Sequence, residues 1–159
     1  MSKHQHEQWM QQAIAEAHRN VQNVEGGPFG AVVVKDGQVI GRGRNQVTVL
    51  NDPSAHAEIL AIREACQHLN DFQLTGCIIY TSCEPCPMCL GAIYWSRPDA
   101  VYYASTKKDA AKVGFDDQFI YDEIAKPMDQ RSISMKQLQI DDYFLPFQAW
   151  SAAENKIEY

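Results

Sequence analysis

Apolar residues recur at intervals of three and four between residue 5 and about residue 22, and this spacing predicts an amphipathic helix. Two β-branched, strand-like runs follow, Ala31 to Lys35 and Gln38 to Asn45. Asp36-Gly37 separates these runs, and an Asp-Gly pair in that position predicts a β-hairpin. The first part of the chain is therefore expected to form a helix followed by an antiparallel pair of strands.

The middle of the chain alternates between helix and strand patterns. A helix is predicted from near Ser54 to Leu69, and a buried strand from Cys77 to Thr81. A further helix can begin at Cys86 or Pro87, because proline is tolerated in the first turn. Residues 99–104 predict another strand. Since a strand, helix and strand in succession imply two parallel strands with a right-handed crossover, the order of elements predicts an α/β fold.

The C-terminal part is irregular from residue 105 to 130 and then strongly aromatic. Asp116 and Asp117 are adjacent carboxylates in a turn that begins with Gly114. These carboxylates have a functional role, or the turn is an ordinary solvated one. Residues 141–159 carry large apolar side chains, although chain ends are normally mobile and polar. These side chains are Tyr143, Phe144, Leu145, Phe147 and Trp150. We therefore expect this segment to be buried against another surface.

Composition limits the classes of protein that the chain can belong to. A length of 159 residues fits one domain, residues 1–159, and 45% hydrophobic residues suffice for a core. No apolar run approaches the length of a membrane span, and the first residues lack the pattern of a secretory leader. Five cysteines, three of them clustered, favour reduced thiols and a metal in a cytoplasmic protein. The net charge of −6 comes without a basic stripe, so a small-molecule substrate is favoured over nucleic acid.

Two short motifs carry the chemistry. His56-Ala57-Glu58 offers a nitrogen ligand with a carboxylate two residues away, and Pro85 to Cys89 offers two thiolates on one helix face. Three protein ligands leave the fourth position of a tetrahedral zinc for water, which is the pattern of a catalytic site. His56, Cys86 and Cys89 are the predicted zinc ligands, and Glu58 is placed to move protons.

The spacing H-x-E followed by P-C-x-x-C resembles the signature of the zinc-dependent nucleobase deaminases. One alternative is a structural zinc site in which Cys83 is the fourth ligand, because it lies three residues before Cys86. We interpret Cys83 as a neighbour, since it precedes Pro85 at the end of a strand. Asn45 ends the second strand and can donate to and accept from a heterocycle, although a plain turn residue is the alternative there.

A wider resemblance extends over nearly the whole chain. Several stretches are similar to the bacterial guanine deaminases with the cytidine-deaminase fold. They are Gly26 to Gly30, Asn51 to Glu58, Thr81 to Cys89, Gly114-Phe115-Asp116-Asp117, Pro146 to Trp150 and the terminal Glu158-Tyr159. The zinc motifs indicate only the superfamily of zinc-dependent deaminases. The Phe-Asp-Asp turn and the terminal tyrosine narrow the resemblance to the deaminases that act on guanine.

This resemblance implies a three-layer α/β/α sandwich with a mixed central sheet and helices on both faces. It also implies one Zn²⁺ per subunit, with Glu58 as the proton shuttle. Asn45 and Asp117 would hold the edge of the purine, and Asp117 would also assist the leaving amine. The other implied contacts to the base are Phe29, Trp95, the Ala57 backbone and Tyr159.

The reaction that the resemblance implies is hydrolysis at C2 of guanine to xanthine and ammonia, a step of purine catabolism. Glu58 would act first as a base and then as an acid. A homodimer is also implied, in which C-terminal segments of about residues 141–159 are exchanged and close the partner's site. Two alternatives stay open: deamination of another base, a nucleoside or tRNA adenosine in the same fold, and a non-catalytic zinc-stapled interaction domain.

Overall fold

A computed structural model describes residues 2–159 and divides the chain into two compact units. The first unit ends at Asp117 and the second spans Gln118–Tyr159. The helices of the first unit are α1 (Lys3–Gln22), α2 (Val47–Leu50), α3 (Ala57–Leu69), α4 (Pro87–Ser96) and α5 (Lys107–Ala111). Its strands are β1 (Gly30–Lys35), β2 (Gln38–Arg44), β3 (Cys77–Cys83) and β4 (Ala100–Ser105).

The four strands form one mixed sheet in the order β2-β1-β3-β4. β1 pairs antiparallel with both β2 and β3, whereas β3 and β4 are parallel. Asp36 and Gly37 both have positive φ angles, 50° and 73°, as a tight two-residue hairpin turn requires. The predicted hairpin and the predicted parallel pair are therefore confirmed.

Helices cover both faces of the sheet. Because side chains alternate along a strand, Val33 faces one side of the sheet, and Val32 and Val34 face the other. The first side packs against α3 and α4 in a core that includes Ala31, Val33, Ile79, Ala57, Ala61, Ala65 and Ile93. The second side packs against α1 through Ala13, Val32, Val34 and Tyr80. This arrangement confirms the predicted α/β/α sandwich.

Two glycines of β2 bring α3 unusually close to the sheet. A Cβ atom on Gly43 would collide with the carbonyl oxygen of Ala57, and one on Gly41 with that of Ala61. The absence of side chains at these two positions therefore sets the depth at which α3, from its first turn to its middle, lies against β2.

Some element boundaries differ from the prediction. Helix α3 begins at Ala57 rather than near Ser54, because the Asp52 carboxylate accepts bonds from Ser54 N at 2.8 Å and Ser54 Oγ at 2.7 Å and closes a separate turn. Strand β3 continues to Cys83, beyond the predicted end at Thr81. The single turn of α2 was not predicted, because four residues are too few to show a helical period.

The second unit contains α6 (Gln118–Ala125), a short 3₁₀ helix (Met128–Gln130) and α7 (Leu145–Ala152). Within Gln118–Tyr159, no residue of the single chain is buried. Most of its aromatic side chains are exposed, including Phe119, Tyr143, Phe144, Phe147 and Trp150. Among the described helices of the whole chain, none combines the length and apolar character needed to cross a membrane.

Candidate active site

The two motifs lie at the starts of α3 and α4. His56 is the N-cap residue of α3 and Cys86 is the N-cap residue of α4, and both have extended backbone conformations. Pro87 occupies the first turn of α4, where its missing N–H is harmless. Cys89 follows one turn along α4 and is fully buried. Both helices pack on the same face of the sheet, which brings the motifs together.

The described part of the chain contains a group of side chains that could hold a metal ion, here called the metal-binding group. It consists of His56, Cys86 and Cys89, whose ligand atoms lie within 4.8 Å of one another. His56 Nδ1 lies 3.5 Å from Cys86 Sγ and 3.4 Å from Cys89 Sγ. Tetrahedral zinc with the usual bond lengths separates a nitrogen and a sulfur ligand by about 3.5 Å. The three atoms thus have the spacing of a zinc site with one open position, and Cys83 is not among them.

The charges of the two thiols also suit a dication. The hydrogen bond from the Cys89 thiol, together with one from His56, lowers the pKa of Cys86 to about 4. The bond to Cys86, burial and the Glu58 carboxylate together raise the pKa of Cys89. One thiolate therefore forms readily while its charge opposes the second, and a bound dication removes that opposition.

Glu58 lies beside this group in the first turn of α3, and only 6% of the residue is exposed. Its Oε2 is 3.4 Å from Cys89 Sγ, and its Oε1 accepts a hydrogen bond from Thr81 Oγ1 at 3.3 Å. Burial raises the pKa of the Glu58 carboxyl above its usual value. A raised pKa makes the carboxylate a stronger base, which suits a group that accepts a proton beside a metal site and later returns it.

Asn45 is buried at the end of β2 with its amide group fixed. Its Oδ1 accepts from the Gly27 N–H at 3.3 Å and from the Val47 N–H at 3.4 Å. These two bonds occupy the carbonyl oxygen, so the Nδ2 group is the part of the side chain left to recognise a ligand. Asn45 is therefore oriented as a hydrogen-bond donor.

Phe29 and Asp117 lie on the segments that flank the motifs. The Phe29 ring meets Phe115 edge to face, with centroids 4.9 Å apart, in the geometry that aromatic pairs prefer. Burial, with the nearby Cys86 thiolate, raises the pKa of the Asp117 carboxyl. The charge of Cys86 in the zinc motif therefore acts on Asp117 in the Gly-Phe-Asp-Asp turn. Asp117 is the last residue of the first unit.

The remaining predicted contacts to the base, together with Cys83, lie in several different parts of the chain. Ala57 is fully buried in the first turn of α3, beside His56. Trp95 lies near the end of α4 with 65% of its surface exposed, and Tyr159 belongs to the second unit. Cys83 is buried and donates to Thr106 O at 3.7 Å, and burial raises its pKa to about 11. Cys83 lies outside the group of ligand atoms around His56, in agreement with its interpretation as a neighbour.

Three residues that contact predicted site residues were not themselves predicted to have roles: Thr81, Phe115 and Asn20. Thr81 bonds the Glu58 carboxylate, and Phe115 packs on Phe29. Asn20 donates to the backbone of Asn45. Thr81 and Phe115 lie in stretches that carry the family resemblance, but nothing in the sequence assigned either side chain a role of its own. Asn20 continues the helical spacing of Ala13 and Ala17 as a polar residue on an apolar stripe, which is the signal that could have found it.

Residues 3–105 match the family described as the cytidine and deoxycytidylate deaminase zinc-binding region. The chain belongs to this family of zinc-binding deaminases, and the predicted superfamily and metal are confirmed. It is 56% identical to the guanine deaminase of Bacillus subtilis (strain 168) over 154 residues, which is 97% of this chain and 99% of that protein.

The X-ray structure of guanine deaminase from Bacillus subtilis superposes on this chain with a TM-score of 0.95 at 54% identity. It covers 100% of this chain and 99% of that one. A tRNA-specific adenosine deaminase of Aquifex aeolicus is 43% identical over 102 residues, 64% of this chain and 67% of that protein.

Proposed function

We propose that this protein is a zinc-dependent guanine deaminase that converts guanine to xanthine and ammonia. The observation that carries the proposal is the extent of the similarity. The match to the Bacillus subtilis guanine deaminase extends over 97% of the chain, whereas the match to the Aquifex aeolicus tRNA-specific deaminase covers 64%. The match to the guanine deaminase therefore includes the second unit. This nearly full-length similarity favours guanine over tRNA as the substrate.

In this proposal His56, Cys86 and Cys89 hold one zinc ion per chain, and the ion supplies a polarised water molecule that is nucleophilic near neutral pH. With zinc bound there, Glu58 would take one proton from water and pass it to the ring nitrogen as the C2–O bond forms. It would then take the proton left on that oxygen and pass it to the exocyclic amine as the C2–N bond breaks, so that ammonia leaves and xanthine remains. Burial keeps Glu58 suited to both halves of the cycle because it raises the pKa of the carboxyl.

We assign recognition of the purine edge to one hydrogen-bond donor, Asn45, and one acceptor, Asp117. Asn45, whose carbonyl oxygen is occupied, donates from Nδ2 to an acceptor on the purine edge. Asp117 accepts from the N1–H and the exocyclic amine, and then assists the loss of ammonia. Phe29, held by Phe115, and Trp95 contact the ring faces, and the Ala57 backbone contacts the base edge.

We further propose that the protein acts as a homodimer that exchanges C-terminal segments, with the partner's tail closing the site. Both units leave apolar side chains exposed in the single chain, which supports this proposal: Tyr94 is 75% exposed on α4, and Tyr159 is 70% exposed at the C-terminus. Large exposed apolar surface is typical of interaction sites. The clustered free thiols suit a reducing compartment, so we place the enzyme in the cytoplasm.

The test is ammonia release from a panel of substrates by the zinc-loaded protein. The panel contains guanine, adenine, cytosine, cytidine and a tRNA with an adenosine in its anticodon. We expect guanine to be the best substrate and xanthine to be its product. Glu58→Gln should keep the zinc and lower turnover by about two to four orders of magnitude. Glu64→Gln makes the same change at an outward position of α3 and should retain activity. Greater activity on tRNA or on cytidine than on guanine would overturn the proposal.

A further inference from the structure

Asn20 is a fully buried amide in the last turn of α1. Its Nδ2 group donates to the carbonyl oxygen of Gly27 and to the carbonyl oxygen of Asn45, both at 2.8 Å. One side chain thus joins three segments: helix α1, the glycine-rich loop of residues 25–29 and the end of β2. Two of the three lie next to the predicted base-binding groups Phe29 and Asn45.

The remaining polar atom of Asn20 indicates what the side chain contributes. Its Oδ1 is buried and has no hydrogen-bond partner within the described part of the chain. A buried acceptor without a partner destabilises a fold. The contribution of Asn20 therefore lies in its two donor bonds, which hold the loop and the strand end together.

The geometry around Gly26 supports the same conclusion independently. A Cβ atom on Gly26 would collide with the Asn45 carbonyl oxygen and lie 3.0 Å from Asn20 Nδ2, so only glycine permits this close approach. Gly27, the next residue, donates its N–H to Asn45 Oδ1. The loop that Asn20 holds is therefore also the loop that holds the Asn45 side chain.

We propose that Asn20 is a positioning residue for the base, acting through Asn45. Its two bonds fix the backbone carbonyl of Asn45 and the loop that carries the Gly27 N–H. Together they keep the carbonyl side of the Asn45 amide turned inward and its NH₂ group turned toward the ligand. The inference rests on the proposed function in that it needs a base bound at Asn45, but it does not depend on which base that is.

The test is a double-mutant cycle on the full-length, zinc-loaded protein. Asn20→Asp replaces the NH₂ donor with an oxygen of nearly the same size, and Asn45→Ala removes the group on which Asn20 acts. Each variant should lower kcat/KM on guanine by about 10- to 100-fold, the usual effect of losing a buried donor. In the Asn45→Ala background, Asn20→Asp should change kcat/KM by less than about threefold, because coupled residues are not additive.

Asn23→Asp is the matched control, since it makes the same chemical change at the exposed C-cap of α1 and should leave the kinetics unchanged. Zinc content should stay at one ion per chain in every variant. Amide hydrogen exchange should become faster at Gly26, Gly27 and Phe29 of Asn20→Asp while β3 remains protected. This second readout detects the loosened loop without any turnover.

If the effects of Asn20→Asp and Asn45→Ala on kcat/KM multiply, or if Asn20→Asp has wild-type kinetics, the positioning role is wrong. Asn20→Ala serves as a second variant if Asn20→Asp fails to fold, with the same expectations. If the wild-type protein deaminates another base of the panel, the cycle is measured on that base. The proposed substrate then fails while coupling of Asn20 to Asn45 still supports the inference.

Discussion

Thr81 donates its hydroxyl hydrogen bond to Glu58 across the boundary between β3 and α3, with 3.3 Å between Oγ1 and Oε1. Thr81 is 1% exposed and Glu58 is 6% exposed, so water does not compete for this bond. The other carboxylate oxygen of Glu58 lies 3.4 Å from Cys89 Sγ. The carboxylate is therefore fixed on one side by the sheet and on the other by the zinc motif.

Replacing Thr81 should test whether this bond orients the proposed proton shuttle. Thr81→Val keeps the shape of the side chain and removes the donor, so we expect kcat to fall roughly tenfold with KM and zinc content unchanged. Thr81→Ser keeps the hydroxyl and should recover most of the loss. Steady-state kinetics with metal analysis measures both, and wild-type kcat in Thr81→Val would show that the bond plays no part in turnover.

The ligand set can be tested by metal content alone. Cys86→Ser and Cys89→Ser should each lose zinc, because the spacing of both sulfurs around His56 fits a tetrahedral ion. Cys83→Ser should keep about one zinc per chain, because Cys83 lies outside the metal-binding group. Zinc loss in Cys83→Ser with retention in Cys86→Ser would reverse the assignment.

The close approach of α3 to β2 gives a prediction away from the ligands. Gly43→Ala places a methyl group against the Ala57 carbonyl oxygen, so the start of α3 must move and take His56 and Glu58 with it. We expect a loss of about 1–3 kcal/mol in stability, as for other overpacked sites, and weaker zinc binding. Gly37→Asn is the control, because that turn position has open space and a φ that asparagine tolerates. A normal zinc affinity in Gly43→Ala would contradict the expectation.

The sequence predicted the zinc group well because its information is local. His56 and Glu58, like Cys86 and Cys89, are separated by two or three positions, and helix starts place such neighbours in a known way. The alternation of helix and strand patterns likewise predicted the parallel β3 and β4. Features of this kind need no knowledge of which distant residues meet.

Contacts between distant residues could not be predicted in this way. Thr81 is one of several polar residues at the end of a strand, and only the register of β3 against α3 brings its hydroxyl to Glu58. The contact of Asn20 with Asn45 joins residues 25 positions apart. The role of the glycines in β2 also depends on helix packing, because a glycine in a strand pattern does not show which backbone approaches it.

Tyr80 should make the stability of the fold depend on pH in the alkaline range. Burial raises the pKa of the Tyr80 phenol from 10.0 to about 12, and its hydroxyl is 2.7 Å from His6 Nδ1. The folded protein keeps this proton to higher pH than the unfolded chain does, so the free energy of unfolding should fall as pH rises from 10 to 12. Urea titrations of wild type and Tyr80→Phe should show a shallower fall in the variant, and parallel curves would contradict the expectation.

The last prediction concerns the proposed exchange of C-terminal segments. Within residues 141–154 every side chain is exposed in the single chain, although five of the residues are large and apolar. Such a segment gains stability only if another surface covers it. Exchange of a terminal element between identical chains is a low-cost route to a dimer, and a closing tail excludes water from the site. We therefore expect the protein to be a dimer in solution by sedimentation.

Complementation of two inactive variants distinguishes a tail that acts on the partner from one that acts on its own chain. One variant is Glu58→Ala with a complete tail, and the other lacks residues 154–159 but retains Glu58. Each should have little activity alone while keeping its zinc. If tails act between chains, refolding the two together gives heterodimers with one complete site, and activity should recover to roughly a quarter of wild type, because random pairing makes half of the dimers mixed. A mixture no more active than its separate components would show that the tail closes its own chain's site.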